Sequence, residues 1–178
     1  MKREGLDFKD ALQKLALRAG VELQEYQHEA PEVKEAYDHL RKLLEDAVIF
    51  YRTQLFNNQT ILAYLREKRG LTDATIETFG LGYAPSGYDN ALKHFVQRDY
   101  SEQDLIDAGL LTDREDGKRY DKFRNRIMIP IRDENGRMAG FGARIVDPND
   151  IPKFLNSPET PIFSKGRLLY GLDRARKP

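Results

Sequence analysis

Nine consecutive residues, Lys118-Arg119-Tyr120-Asp121-Lys122-Phe123-Arg124-Asn125-Arg126, bring five cations and two aromatic rings together. They run directly into the apolar stretch Ile127-Met128-Ile129-Pro130-Ile131. In extended backbone, side chains alternate between faces, so Lys122, Arg124 and Arg126 would share one face with Tyr120. Three neighbouring cations repel one another, and an anion relieves that repulsion. Guanidinium groups grip phosphate oxygens in pairs, and an aromatic ring can stack a nucleobase for about 1–3 kcal/mol. The same pattern also suits a charged edge strand that resists aggregation, and spacing alone does not choose between the two.

Further cations stand in turn-rich segments. Arg144 is one. Lys153-Phe154-Leu155-Asn156-Ser157-Pro158-Glu159-Thr160 and Lys165-Gly166-Arg167 supply others, with Asn156, Ser157 and Thr160 as neutral hydrogen-bonding groups. Loops held by a sheet are common ligand sites, although this composition is also ordinary for loops. Arg69, in Lys68-Arg69-Gly70-Leu71, fits the last turn of a helix, where cations complement the dipole and glycine ends the run. Gly80-Leu81-Gly82 lacks the third glycine of a dinucleotide fingerprint. His94, among Leu92, Phe95 and Val96, reads as a partly packed side chain. Nucleotidyl transfer needs carboxylates to hold metal ions. The acidic residues of the basic region (Asp113, Glu115, Asp116, Asp147 and Asp150) fall in turns without an Asp-x-Asp pair. No Walker loop, serine-nucleophile elbow or zinc motif is present. As an enzyme the chain reads as incomplete.

These residues need elements to position them. Asp7 to Ala19 has helical spacing and Gly20 is a natural stop, with a polar connector from Val21 to Ala30. Pro31 opens a long helix carrying Val33, Tyr37, Leu40, Leu44, Ala47, Val48, Tyr51 and Leu55 on its apolar side. Asn57 or Asn58 caps a helix through Leu65 that ends at Gly70. Thr72 starts another through Phe79, which Gly80 to Pro85 breaks. Two short helices follow, Asn90–Gln97 and Ser101–Ala108. After Gly109 the pattern becomes β-like, with a polar turn at Asp113 to Gly117. Pro130 suggests an edge strand. Asn135-Gly136 marks a hairpin, and Met138 to Val146 is its returning strand. Gly140 and Gly142 leave room there for close backbone approach. Turn clusters follow at Asn149–Pro152 and Asn156–Pro161. The expected fold class is α+β: a helical N-terminal half, then a small antiparallel sheet with long basic loops.

Composition is compatible with that picture. The 178 residues are 40% hydrophobic and 33% charged, the balance of a folded domain with a charged surface. The net charge of zero hides an asymmetry: residues 1–110 hold 14 Lys and Arg against 19 Asp and Glu, and residues 111–178 hold 15 against 10. A local basic surface, not the whole-chain total, governs phosphate binding. With no cysteine and three scattered histidines, disulfides and a Cys- or His-ligated metal are not expected. No apolar run reaches membrane-spanning length. The start, Met1-Lys2-Arg3-Glu4-Gly5, turns acidic before an export signal could form, so a cytoplasmic protein without membrane partners is expected.

Several of these stretches resemble the DnaG-type bacterial primases. Tyr120 to Asp133, Gly136-Arg137 with Gly140-Phe141-Gly142-Ala143-Arg144, and Pro152 to Thr160 are similar to signatures of that family. So are Phe163-Ser164-Lys165-Gly166 and Leu169-Tyr170-Gly171-Leu172. Upstream, Tyr64-Leu65, Lys68-Arg69-Gly70-Leu71 and Gly82-Tyr83-Ala84-Pro85 also match, in family order. The resemblance implies a fragment of a DNA-directed RNA polymerase, a nucleotidyltransferase that makes short RNA primers for DNA replication. Residues 1–30 would be the helix and connector after an absent zinc-binding domain. Residues 31–178 would be the basic N-terminal subdomain of the catalytic core, without its Toprim subdomain.

By that resemblance Lys122, Arg124 and Arg126 contact template DNA, and Arg69, Arg144, Lys153, Phe154, Asn156 and Lys165 bind nucleotide or line the active-site cleft. Phe154 stands where tyrosine is commoner, and Lys122 where arginine is frequent. No catalytic or metal-binding residue is expected in this chain. Mg2+ would belong to the Toprim part and Zn2+ to the zinc ribbon. Implied partners are single-stranded DNA template, ribonucleoside triphosphates, an RNA–DNA primer duplex and, through an absent C-terminal domain, the replicative helicase of the primosome. The alternative is a stand-alone single-stranded nucleic-acid binding module.

Overall fold

The computed structural model describes Lys14, Leu15, Arg18 and residues 31–175 apart from 115 and 116. The chain divides into two compact units, residues 1–33 and 34–178. In the first, Lys14, Leu15 and Arg18 are helical. The rest of the helix expected from Asp7 to Ala19, its stop at Gly20, and the Val21–Ala30 connector lie outside the described residues.

Helix α1, Pro31–Phe56, is the longest element. Leu40, Leu43, Leu44, Ala47, Tyr51 and Leu55 recur every three or four residues and are all buried. Asn58 caps α2, Gln59–Ala63, its side chain accepting from the Ile61 N–H at 3.2 Å. The helix then widens into a π turn over Tyr64–Lys68, where the Arg69 N–H donates to the Tyr64 carbonyl at 3.2 Å. The Thr72 hydroxyl caps α3, Asp73–Thr78. Helices α4, Asn90–Val96, and α5, Glu102–Asp107, follow, the second opened by a Ser101/Asp104 capping box.

Four antiparallel strands form the main sheet: β1, Gly82–Ala84; β4, Arg126–Arg132; β5, Met138–Ile145; and β6, Phe154–Asn156, in the order β1-β4-β5-β6. β2, Leu111–Asp113, and β3, Arg119–Asp121, make a separate hairpin. A short helix α6, Leu172–Ala175, completes the described elements. Residues along the strands alternate between two apolar cores. Ala84, Met128, Phe141 and Ala143 join α1, α4 and α5. Tyr83 and Ile127 join Leu55, α2, the π turn and α3. The sheet is therefore clad by helices on both faces at its β1–β4 side.

The α+β expectation holds, as do the long helix and the Asn135-Gly136 hairpin, whose Gly136 adopts φ +80. Three segments gain detail or strands that were not expected, and two expectations need correction. Gly80 to Pro85, read as a break, contains β1. The polar turn after Leu110 holds, as the tip of the β2–β3 hairpin, and β6 starts between the two turn clusters and takes in Asn156 from the second. Pro130 is not on an edge strand: β4 sits between β1 and β5. Proline is tolerated because β1 begins only at Gly82, opposite Met128, two residues short of Pro130. Finally, Lys122, Arg124 and Arg126 do not share one extended strand face. β3 ends at Asp121, β4 begins at Arg126, and Asn125 between them is left-handed at φ +49. Phe123 explains the break, because it turns inward to full burial beside Phe141.

Candidate nucleic-acid and nucleotide site

The connection from β3 to β4 is built around the Asp121 carboxylate, which is 2% exposed. Its two oxygens accept from the backbone N–H groups of Ala91, at 2.8 Å, and Leu92, at 3.0 Å, in the first turn of α4. The Asp121 N–H in turn donates to the Tyr88 carbonyl at 2.7 Å. These bonds bring the Pro85–Asp89 turn against β3. Burial pushes the Asp121 carboxyl up to about 6, while the N–H groups that favour its anion pull the other way.

The result is a ring-and-cation stack. The Arg124 guanidinium carbon lies 4.8 Å from the Tyr120 ring centre and 4.9 Å from that of Tyr88. The rings themselves meet edge-on at 6.3 Å. One Arg124 amino group donates to the Asp121 carbonyl, which fixes its plane. Tyr88 is 67% exposed, so an aromatic face remains open beside a cation. Burial lowers the proton affinity of Lys122 and of Arg126; Arg124 adds to this in both, against Asp150 at Arg126. Arg124 thus acts electrostatically on both of the other expected cations, though the three do not share one strand face. Asn125 is held by the Tyr83 hydroxyl, which donates to its side-chain oxygen at 3.0 Å. Arg126 is 6% exposed; its two amino groups point at the carbonyls of Pro152, at 2.8 Å, and Ile151, at 3.4 Å.

A second group lies on the open side of the sheet. Arg144 and Phe154 are register partners on β5 and β6, with the Arg144 guanidinium 4.9 Å above the Phe154 ring. The Lys153 ammonium reaches the same ring at 6.0 Å. Arg144 Nε is buried without a hydrogen-bond partner, a donor waiting for an acceptor. Gly142 and Asn156 are the next register pair on that face. Together with Ile129, Phe154 and Lys165 they line a cleft of about 270 Å³. Phe154 is 58% exposed at its mouth. The Lys165 backbone N–H donates to Glu159 at 2.9 Å, which fixes the chain where Lys165 lines the cleft.

Arg69 is exposed at the C-terminal end of the π turn and is not joined to either group by a side-chain contact. His94 packs its ring 4.3 Å from Phe50, as expected of a partly buried histidine. Tyr88 escaped the sequence reading. It is 32 positions from Tyr120, and its signal was only a lone aromatic in a polar turn. Among the described residues, no group of three or more His, Asp or Glu side chains could hold a metal ion.

A helix-clad antiparallel sheet carrying cations and stacked aromatic rings on its connections and open edge defines the class: an α+β domain with two basic, aromatic surfaces. Residues 50–176 match the family described as the DNA primase catalytic core, N-terminal domain, and this chain belongs to that family. The DNA primase of Deinococcus radiodurans is 47% identical over 174 residues, covering 97% of this chain and 29% of that protein. The DNA primase of Escherichia coli K12 is 41% identical over 182 residues, covering 99% of this chain and 31% of its own length. The chain thus spans less than a third of these curated relatives. A solved DnaG primase catalytic domain bound to ssDNA is 44% identical, with a TM-score of 0.71 over 80% of this chain and 46% of that one. The RNA polymerase domain of Mycobacterium tuberculosis DnaG, solved with double-stranded DNA bearing a 6-nucleotide overhang, is 32% identical, with a TM-score of 0.72 over 79% of this chain and 44% of its own.

Proposed function

We propose that this chain is the template- and nucleotide-gripping part of a primase, which makes short RNA primers on single-stranded DNA during replication in the cytoplasm. The observation that carries this reading is the Arg124 guanidinium held over both Tyr120 and the exposed Tyr88. Such a stack offers a phosphate oxygen a charged donor and a base a flat surface at the same place. Lys122 adds a point charge from the same connection. The surface from Arg144 to Lys165 would receive a ribonucleoside triphosphate: Phe154 beneath the base or sugar, Arg144, Lys153 and Lys165 toward the phosphates, and Asn156 toward a polar edge. Arg69 would contribute from the end of the π turn.

In a primase, a 3′-hydroxyl attacks the α-phosphate of a ribonucleoside triphosphate and pyrophosphate leaves, and this chain's residues would neutralise charge and orient both polyanions for that step. The described residues contain no carboxylate cluster that fits Mg2+. Mg2+ and Zn2+ would be held by other parts of the whole protein. The primer duplex and the replicative helicase are likewise partners of that whole protein.

Photocrosslinking tests the division of labour. A 4-thiothymidine oligonucleotide should label the segments around Tyr88 and Tyr120–Arg124. An 8-azido-ATP probe should label the segment from Arg144 to Lys165. Labelling of both segments by both probes in equal measure would contradict two distinct surfaces.

A further inference from the structure

We infer that Arg126 is a positioning residue, bracing the nucleotide surface from the template connection rather than serving as a third phosphate contact. This deepens the function proposed above and rests on it. Arg126 opens β4, two residues after Arg124, and is almost wholly buried at 6% exposed. Its guanidinium fork lies against two consecutive backbone carbonyls, Ile151 and Pro152. A fork occupied in that way is not available to grip phosphate oxygens in pairs.

The carbonyls it holds are those just before Lys153 and Phe154. The next contact along the chain is the Ile145 N–H donating to the Lys153 carbonyl at 3.2 Å, after which Phe154 pairs with Arg144. β4 and β6 are not neighbours in the sheet, since β5 lies between them. The Arg126 side chain therefore spans from the start of β4 to the lead-in of β6. One end of it is fixed beside the Arg124 stack and the other sets where Lys153 and Phe154 begin. Burial lowers its proton affinity, with Arg124 adding to that effect and Asp150 opposing it, as expected for a cation held by neutral carbonyls.

The test uses this chain and its Arg126→Lys, Arg126→Met and Arg124→Ala variants. Two probes are titrated against each: a fluorescein-labelled oligothymidylate across a salt series, and N-methylanthraniloyl-GTP. Lysine keeps the charge but cannot span both carbonyls, so both Arg126 variants should bind the nucleotide about tenfold more weakly, the loss of one charge-assisted hydrogen bond. The slope of log K against log salt for DNA should match wild type in both, while Arg124→Ala flattens it. Arg126→Met flattening that slope by about 0.7, with Arg126→Lys near wild type, would make Arg126 a phosphate contact and overturn the inference. Equal weakening of both probes would overturn it too, since the brace acts on one surface. If Arg126→Met does not fold, Arg126→Lys decides by its nucleotide affinity: a tenfold loss supports the brace, and wild-type affinity overturns it. A wild-type chain that holds neither probe refutes the proposed function itself, and this inference with it; inert Arg126 variants beside a responsive Arg124→Ala refute this inference alone.

Discussion

At the scale of single residues, the two tyrosines around Arg124 separate stacking from charge. Tyr88→Ala removes an exposed ring and no charge, so single-stranded DNA should bind about 1–3 kcal/mol more weakly with an unchanged salt slope. Fluorescence anisotropy measures both quantities. An affinity equal to wild type would mean that Tyr88 merely shields Arg124. Asp121 makes a prediction in pH. Its carboxyl titrates at about 6 in the fold, above the usual value of 3.8. Below about pH 4 it is protonated in both folded and unfolded chains. Between there and pH 6 the folded chain keeps a proton that the unfolded chain releases. Its stabilising contribution is thus full at low pH and lost as pH rises through 6. Asp121→Asn removes this dependence and one of the two bonds to α4. The difference in unfolding free energy between wild type and Asp121→Asn should therefore shrink from pH 4 to pH 7. A difference that grows with pH would show that the two N–H bonds outweigh burial.

At the scale of elements, what could be read from sequence and what could not divide along physical lines. The long helix from Pro31 was legible because Leu40, Leu44, Ala47, Tyr51 and Leu55 repeat at its period, and all are buried. Asn135-Gly136 was legible because so few residues accept a left-handed turn. β1, β2, β3 and β6 were not read as strands. Each has three residues, and a three-residue strand carries no period; its partner, distant in sequence, decides it. The same limit applied to the π turn and to the inward rotation of Phe123, which is set by Phe141. For the site, the cations were readable by type and the loop residues through family resemblance. Tyr88 joined them only through the Asp121 bonds, and Arg126 proved to face backbone rather than solvent. Gly140 tests the packing that supports the nucleotide surface. A Cβ there would lie 2.8 Å from the Ser157 hydroxyl and 2.9 Å from the Phe163 ring. Gly140→Ala should therefore cost about 1–3 kcal/mol in chemical denaturation, because neither buried neighbour can move freely. A neutral result would show that the turn after β6 adjusts without penalty.

At the scale of the whole molecule, the zero net charge is a poor guide to partners. Its cations are concentrated after residue 110, where the sheet and its connections gather them around Arg124 and around Phe154. In the proposed function both surfaces would prepare a polyanion for chemistry that needs carboxylates, and the described residues offer no cluster of them. The purified chain should accordingly make no primer from ribonucleoside triphosphates on single-stranded DNA with Mg2+ present; metal-dependent product from it would contradict this division. The most direct test of the central claim is the salt dependence of single-stranded DNA binding, comparing wild type with a Lys122→Ala/Arg124→Ala variant. If these residues contact two phosphates, the slope of log K against log salt should flatten by about 1.4, two times ~0.7. Equal affinity and equal slope for the two proteins would remove the template from the β3–β4 connection.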